Sequence, residues 1–124
     1  MERSKTLVRR YYEEVLNQRR PDLLEELLAP SFQSRNGDFV TDAAGYAQAV
    51  HRTLAAFGDL VVTIEAQIAE GTLVATRWSA RGTFSPTGQP FAQTGMHFHK
   101  ISEGRLAEHW EELDPSALKA LLGT

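Results

Sequence analysis

Apolar residues recur three and four positions apart through the first half of the chain, and every second position through the rest. Leu7, Val8, Tyr11, Tyr12, Val15 and Leu16 form one apolar stripe, which predicts a helix ending near Asn17. Pro21 suits the first turn of a second short helix, with Leu24, Leu27 and Leu28 on its apolar face and Pro30 as its stop. Thr41 or Asp42 can cap a third helix through Tyr46, Val50, Leu54 and Phe57, closed by Gly58-Asp59. From Leu60 the pattern changes. Residues 60–69 and 72–84 are rich in Val, Thr, Ile and aromatic side chains and meet at Glu70-Gly71, as antiparallel strands do. Ser85 to Pro90 reads as a loop by its turn chemistry. Two further strands, 94–101 and 105–113, flank a turn at Ser102-Glu103-Gly104, and Asp114-Pro115 opens a short last helix.

Helices first and an antiparallel meander after them predict an α+β fold: three N-terminal helices on a curved sheet of about four strands, with a short C-terminal helix. Gly82 is a candidate bend or bulge. The pocket is expected between the helices and the concave face. A chain of 124 residues with 42% hydrophobic content suits one domain over 1–124. No window approaches the roughly 20 apolar residues of a membrane span. The start, Met1-Glu2-Arg3-Ser4-Lys5, runs into the amphipathic stripe rather than a signal-peptide core, so the mature chain is expected to begin at or near Met1. The net charge of −3, with both signs interspersed, gives no footprint for nucleic acid. The absence of cysteine excludes disulfides and thiolate chemistry and fits a reducing cytoplasm.

Candidate chemistry gathers in the last thirty residues. If alternation holds along the last strand, Trp110, Glu112 and Asp114 project together, and His97 and His99 share a face of the neighbouring strand. A carboxylate beside an indole and near imidazoles suits proton transfer. Three stretches carry a resemblance: 8–17 (VRRYYEEVLN), 27–32 (LLAPSF) and 104–114 (GRLAEHWEELD), the last followed by Leu118 and Leu121-Leu122-Gly123. Together they resemble the SnoaL-like polyketide cyclases and ester cyclases, of the cone-shaped nuclear transport factor 2-like superfamily. The fold supports isomerases, dehydratases, epoxide hydrolases and non-catalytic binders, so it does not fix the activity.

The resemblance implies that Asp114 is the acid/base aspartate, which takes a proton from an activated carbon so that an intramolecular aldol closure follows without a metal. An apolar wall including Trp110 would raise its pKa toward the working range. His97 is the first candidate donor to the developing enolate oxygen and His99 the second. Arg35, where many relatives carry histidine, and Asn36 lie in the expected loop after the second helix, and Arg35 could hold an anionic or carbonyl group. Tyr12 could supply a hydroxyl and Tyr46 could line the mouth.

Plainer readings exist for each. Asp114-Pro115 is also the pattern of an N-cap followed by proline, Trp110 suits ordinary packing, and His109 reads as surface or interface. His97-Phe98-His99 supplies two nitrogens without a third His-rich element, so no metal is expected. No nucleotide cradle or nucleophile elbow is present, so no cofactor is expected either. An antiparallel sheet exposing apolar residues on its convex side needs cover, which predicts a homodimer. The expected partner is a small hydrophobic carbonyl compound, with no nucleic acid and no membrane. The alternatives to a cyclase or isomerase are a non-catalytic ligand-binding or assembly module, and water activation of the kind that opens epoxides.

Overall fold

A computed structural model describes residues 2–113 and 116–122. The chain begins with α1 (Glu2–Arg10), which continues as a π-helical segment through Tyr11–Asn17. The wider turn shows in the Gln18 amide donating to the Glu13 carbonyl. Pro21 opens a single 3-10 turn, Pro21–Leu23, that leads into the one-turn helix α2 (Leu24–Leu27). Strands β1 (Leu28–Asn36) and β2 (Phe39–Asp42) form a hairpin ahead of α3 (Ala43–Ala56). Then come β3 (Val61–Glu70), β4 (Leu73–Phe84), β5 (Gln89–Ser102), β6 (Arg105–Leu113) and α4 (Ser116–Leu122).

The sheet has six strands, in the order β2-β1-β6-β5-β4-β3, rather than about four. All neighbours are antiparallel except β1 and β6, which run parallel. The two extra strands come from the segment read as the end of a helix and a loop. The helical turn ends at Leu27, before Pro30 rather than at it, and the chain goes directly into β1, which contains Pro30, so Arg35 and Asn36 sit on a strand paired with Val40 and Phe39. At the start of α3, the Asp42 carboxylate accepts from the Gly45 amide at 2.9 Å, as an N-cap should.

One face of the sheet is covered by helices. Val8, Tyr11, Tyr12, Val15 and Leu16 from the first helical stretch, and Tyr46, Val50 and Leu54 from α3, join Val62, Val74, Trp78, Phe91, Ile101 and Leu106 of the strands in one core. Asn17 ties the end of the first helical stretch to β3: its amide exchanges two 2.8 Å hydrogen bonds with the Val62 backbone. The opposite face leaves Ile68, Met96 and Phe98 exposed. Gly82 interrupts nothing, because β4 and β5 pair without a break from Leu73 to Phe84. Its missing Cβ instead admits the Asp59 side chain and the Leu60 backbone. The break in β3 lies between Ile64 and Ala66.

The register of β5 with β6 decides which face carries the chemistry. Ser102 pairs with Arg105 and Ile101 with Leu106, but Lys100 pairs with Glu108, so Ala107 is an extra residue in β6. Beyond it His99 faces His109, Phe98 faces Trp110 and His97 faces Glu111. An uninterrupted hairpin would have set Trp110 opposite His97. The inserted residue reverses the parity.

Candidate active site

The inner face of the sheet and the helices enclose a cavity of about 280 Å³. Leu16, Val50, Phe57, Leu60, Val62, Phe91 and Leu113 line most of it, whereas Tyr11, Tyr12, Tyr46, His97 and Glu111 form a polar end. Larger depressions on the surface bring together no comparable set of hydroxyl, imidazole and carboxylate groups among the described residues.

His97 is the hinge of that polar end. Its side chain is 6% exposed, its Nδ1 lies 2.5 Å from the Tyr12 hydroxyl and its Nε2 lies 2.9 Å from Glu111 Oε1. Burial pushes the Tyr12 phenol well above its ordinary value of 10, so the hydroxyl keeps its proton. That assigns the tautomer through the network: the phenol donates to Nδ1, and Nε2–H donates to the carboxylate. The other Glu111 oxygen accepts from the Asn36 amide nitrogen at 3.3 Å. Beside this chain the Tyr46 hydroxyl donates to that of Tyr11, and burial holds both phenols in the neutral form.

Behind His97 a second imidazole pair is sealed in the core. His99 and His109 are 0% and 2% exposed, and His109 Nδ1 meets His99 Nε2 at 2.9 Å. Burial, followed by the nearby His97, holds both well below the ordinary imidazole value of 6.5, so they remain neutral. Trp78 completes the wall. Its indole lies 5.1 Å from the His97 ring between centroids and extends over Gly95, its partner on β5, where a Cβ would collide with it.

The structure therefore brings together Tyr12, Tyr46 and His97 of the residues singled out in the sequence. It separates others from them. Trp110 is on the outer face, edge-on to Phe98 at 5.6 Å between centroids, and is no pocket wall. His99 shares the inner face with His97 but lies in the core, off the cavity lining. Arg35 pairs with Trp110 across the parallel ladder and donates to Gln33 at 2.8 Å, away from the cavity. Asn36 touches the site through Glu111 alone. His109, read as surface, is buried, because the parity that removes Trp110 from the inner face places His109 on it. Asp114 and Pro115, with their acid/base and capping readings, lie outside the described residues. Glu111, His109 and Tyr11 were missed. The signal that could have found them is the hairpin register, which depends on a single extra residue.

A helix-covered sheet enclosing a cavity with an imidazole-carboxylate-phenol end defines the class: an α+β ligand-enclosing protein of the nuclear transport factor 2-like kind. Within it, the family model for SnoaL-like polyketide cyclases matches residues 6–122, and the chain belongs to that family. AclR of Streptomyces galilaeus, described as a "putative hydroxylase", superposes with a TM-score of 0.90 at 22% identity, over 99% of this chain and 97% of that one. IdmH of Streptomyces antibioticus, described as a "putative polyketide cyclase", is 31% identical over 98% of this chain and 99% of its own, with a TM-score of 0.83. TsrD of Streptomyces laurentii gives 0.85 at 22% identity, over 98% and 96%. No curated protein matches in sequence. Among the described residues, no helix is long and apolar enough to cross a membrane.

Proposed function

We propose that the chain is a cyclase acting by acid/base catalysis on a small hydrophobic carbonyl compound, removing a proton beside the carbonyl so that an intramolecular aldol-type closure, or a related isomerisation, follows. The observation that carries this reading is the buried His97 held between a phenol and the Glu111 carboxylate at the polar end of an otherwise apolar cavity. Glu111 is positioned for proton abstraction: His97 Nε2–H and Asn36 fix its two oxygens, while the carboxylate faces the cavity. The imidazole N–H stabilises the carboxylate before the transfer, and the proton taken from carbon then resides on Glu111, from which it returns to the product. The Tyr11 hydroxyl, which accepts from Tyr46 and keeps its own proton free, is the nearby donor for a developing enolate oxygen. The volume of about 280 Å³ fits a compact ligand, just below the usual range of roughly 300–1,000 Å³.

Glu111→Gln and Asp114→Asn decide between this pair and the base that the family resemblance implies. With a panel of carbonyl compounds as probes, Glu111→Gln is expected to lose at least about 100-fold in kcat with ligand binding retained. If Asp114→Asn alone shows that loss, the base is Asp114 and Glu111 only orients His97. If the unmodified protein binds the compounds without turning any over, the protein is a binder.

The reading extends to assembly in the cytoplasm as a homodimer through the outer face of the sheet, where Met96, Phe98 and Trp110 form an apolar strip. Phe98→Glu should convert the dimer to monomer in sedimentation or light scattering. An unmodified protein that is already monomeric would refute it.

A further inference from the structure

We infer that His97, His109 and Glu111 form a site for a divalent transition-metal ion of the zinc type. This does not depend on the acid/base reading: it concerns a metal-loaded form in which the ion replaces the proton between His97 and Glu111.

One ligand atom from each of the three residues lies within 4.8 Å of the others, although His97 and Glu111 come from different strands. A tetrahedral zinc ion with bonds of about 2.0–2.1 Å needs its ligand atoms about 3.3 Å apart. His97 Nε2 and Glu111 Oε1, at 2.9 Å, already approach that spacing. The third atom, on His109, lies within 4.8 Å of both and has to move inward for an ion to be held. Two imidazoles and one carboxylate make up a donor set that binds zinc and leaves a coordination position for water or substrate.

The stronger observation is what surrounds the triad. Metal-binding side chains are usually aimed by partners on the atom that does not bind. Here all three have such a partner. His97 Nδ1 meets the Tyr12 hydroxyl, His109 Nδ1 meets His99 Nε2, and Glu111 Oε2 accepts from Asn36. The atoms left over are His97 Nε2, His109 Nε2 and Glu111 Oε1. For His97 to offer Nε2 as a lone pair, its proton must sit on Nδ1 and point at the Tyr12 oxygen. Tyr12 then accepts from Nδ1–H and turns its own proton to the Thr76 hydroxyl, its other partner, reversing that bond. No proton is gained or lost in that switch. Two of the three residues, His97 and Glu111, also line the cavity.

The test uses chelator-treated full-length protein titrated with zinc by calorimetry and with cobalt(II) by visible absorption. The expected result is one ion per chain and, with cobalt, the intense bands of a tetrahedral site. Glu111→Gln keeps a partner for Asn36 and His109→Gln keeps a polar side chain. Either should weaken binding by about 100-fold while the far-ultraviolet circular dichroism spectrum is unchanged. His51, the remaining histidine of the chain, is exposed on α3, so His51→Gln should bind as the unmodified protein does. Absence of saturable binding overturns the inference, as does binding that survives in Glu111→Gln or is lost in His51→Gln. If His109→Gln does not fold, Glu111→Gln with the cobalt spectrum decides alone. Turnover in the chelator-treated protein belongs to the acid/base reading, so the two proposals fail separately.

Discussion

Gly95 shows how one missing side chain shapes the site. It pairs with Trp78 across β4 and β5, and a Cβ there would lie 2.4 Å from the nearest indole carbon. Gly95→Ala must therefore displace the indole that packs against His97. The expected cost is about 1–3 kcal/mol, as for other overpacked cores, read from the chemical-denaturation midpoint. An unchanged midpoint together with unchanged tryptophan fluorescence would mean that the indole is not wedged there. This role was not legible in the sequence, because a glycine within a strand signals a close approach without saying by what. The imidazole at position 97 was legible, since its alternation with His99 is a property of the strand alone. Its partner was not: Glu111 is found only after counting across the turn, and that count is reversed by Ala107.

At the level of elements, periodicity found the structure wherever a segment's burial is set by its own pattern. The first helical stretch, α3 with its Asp42 cap, and β3, β4 and β6 follow apolar spacing that any neighbour would satisfy. Strand β5 instead starts at Gln89, five residues before the expected 94 and inside the expected loop, because Gln89 and Pro90 pair with Phe84 and Thr83. The region from Leu24 to Asp42 did not yield to the same reasoning. Leu24, Leu27 and Leu28 share a helical spacing, yet only the first two belong to α2 and Leu28 already begins β1. Beyond it Phe32 and Ser34 are buried while Ser31 and Gln33 are exposed, a period of two that was hidden by the polar composition of the segment. What makes this a strand is long-range: β1 pairs in parallel with β6, at the far end of the chain. No local signal encodes such a partner. The same contact places Asn36 against Glu111, so the part of the fold that was hardest to read also completes the carboxylate's environment.

For the molecule as a whole, two buried imidazoles make stability depend on pH with a definite sign. His99 and His109 are held well below 6.5 in the folded protein by desolvation, with His97 adding to it. In the unfolded chain they titrate near the ordinary value. Their contribution is fully present above that value and is lost as pH falls toward the folded-state values, because the unfolded chain then takes up protons that the fold refuses. With two such groups the limiting slope is about 2.7 kcal/mol per pH unit, spread over the window below about 6.5. Asp22 and Asp59, which hydrogen bonds and nearby arginines hold below 3.8, act only in stronger acid. Denaturant unfolding of chelator-treated protein from about pH 8 to about pH 5 should show stability falling steadily below about pH 6.5. A flat curve down to about pH 5 would mean that the His99-His109 pair accepts a proton inside the fold, and the sealed, neutral core behind the site would have to be abandoned.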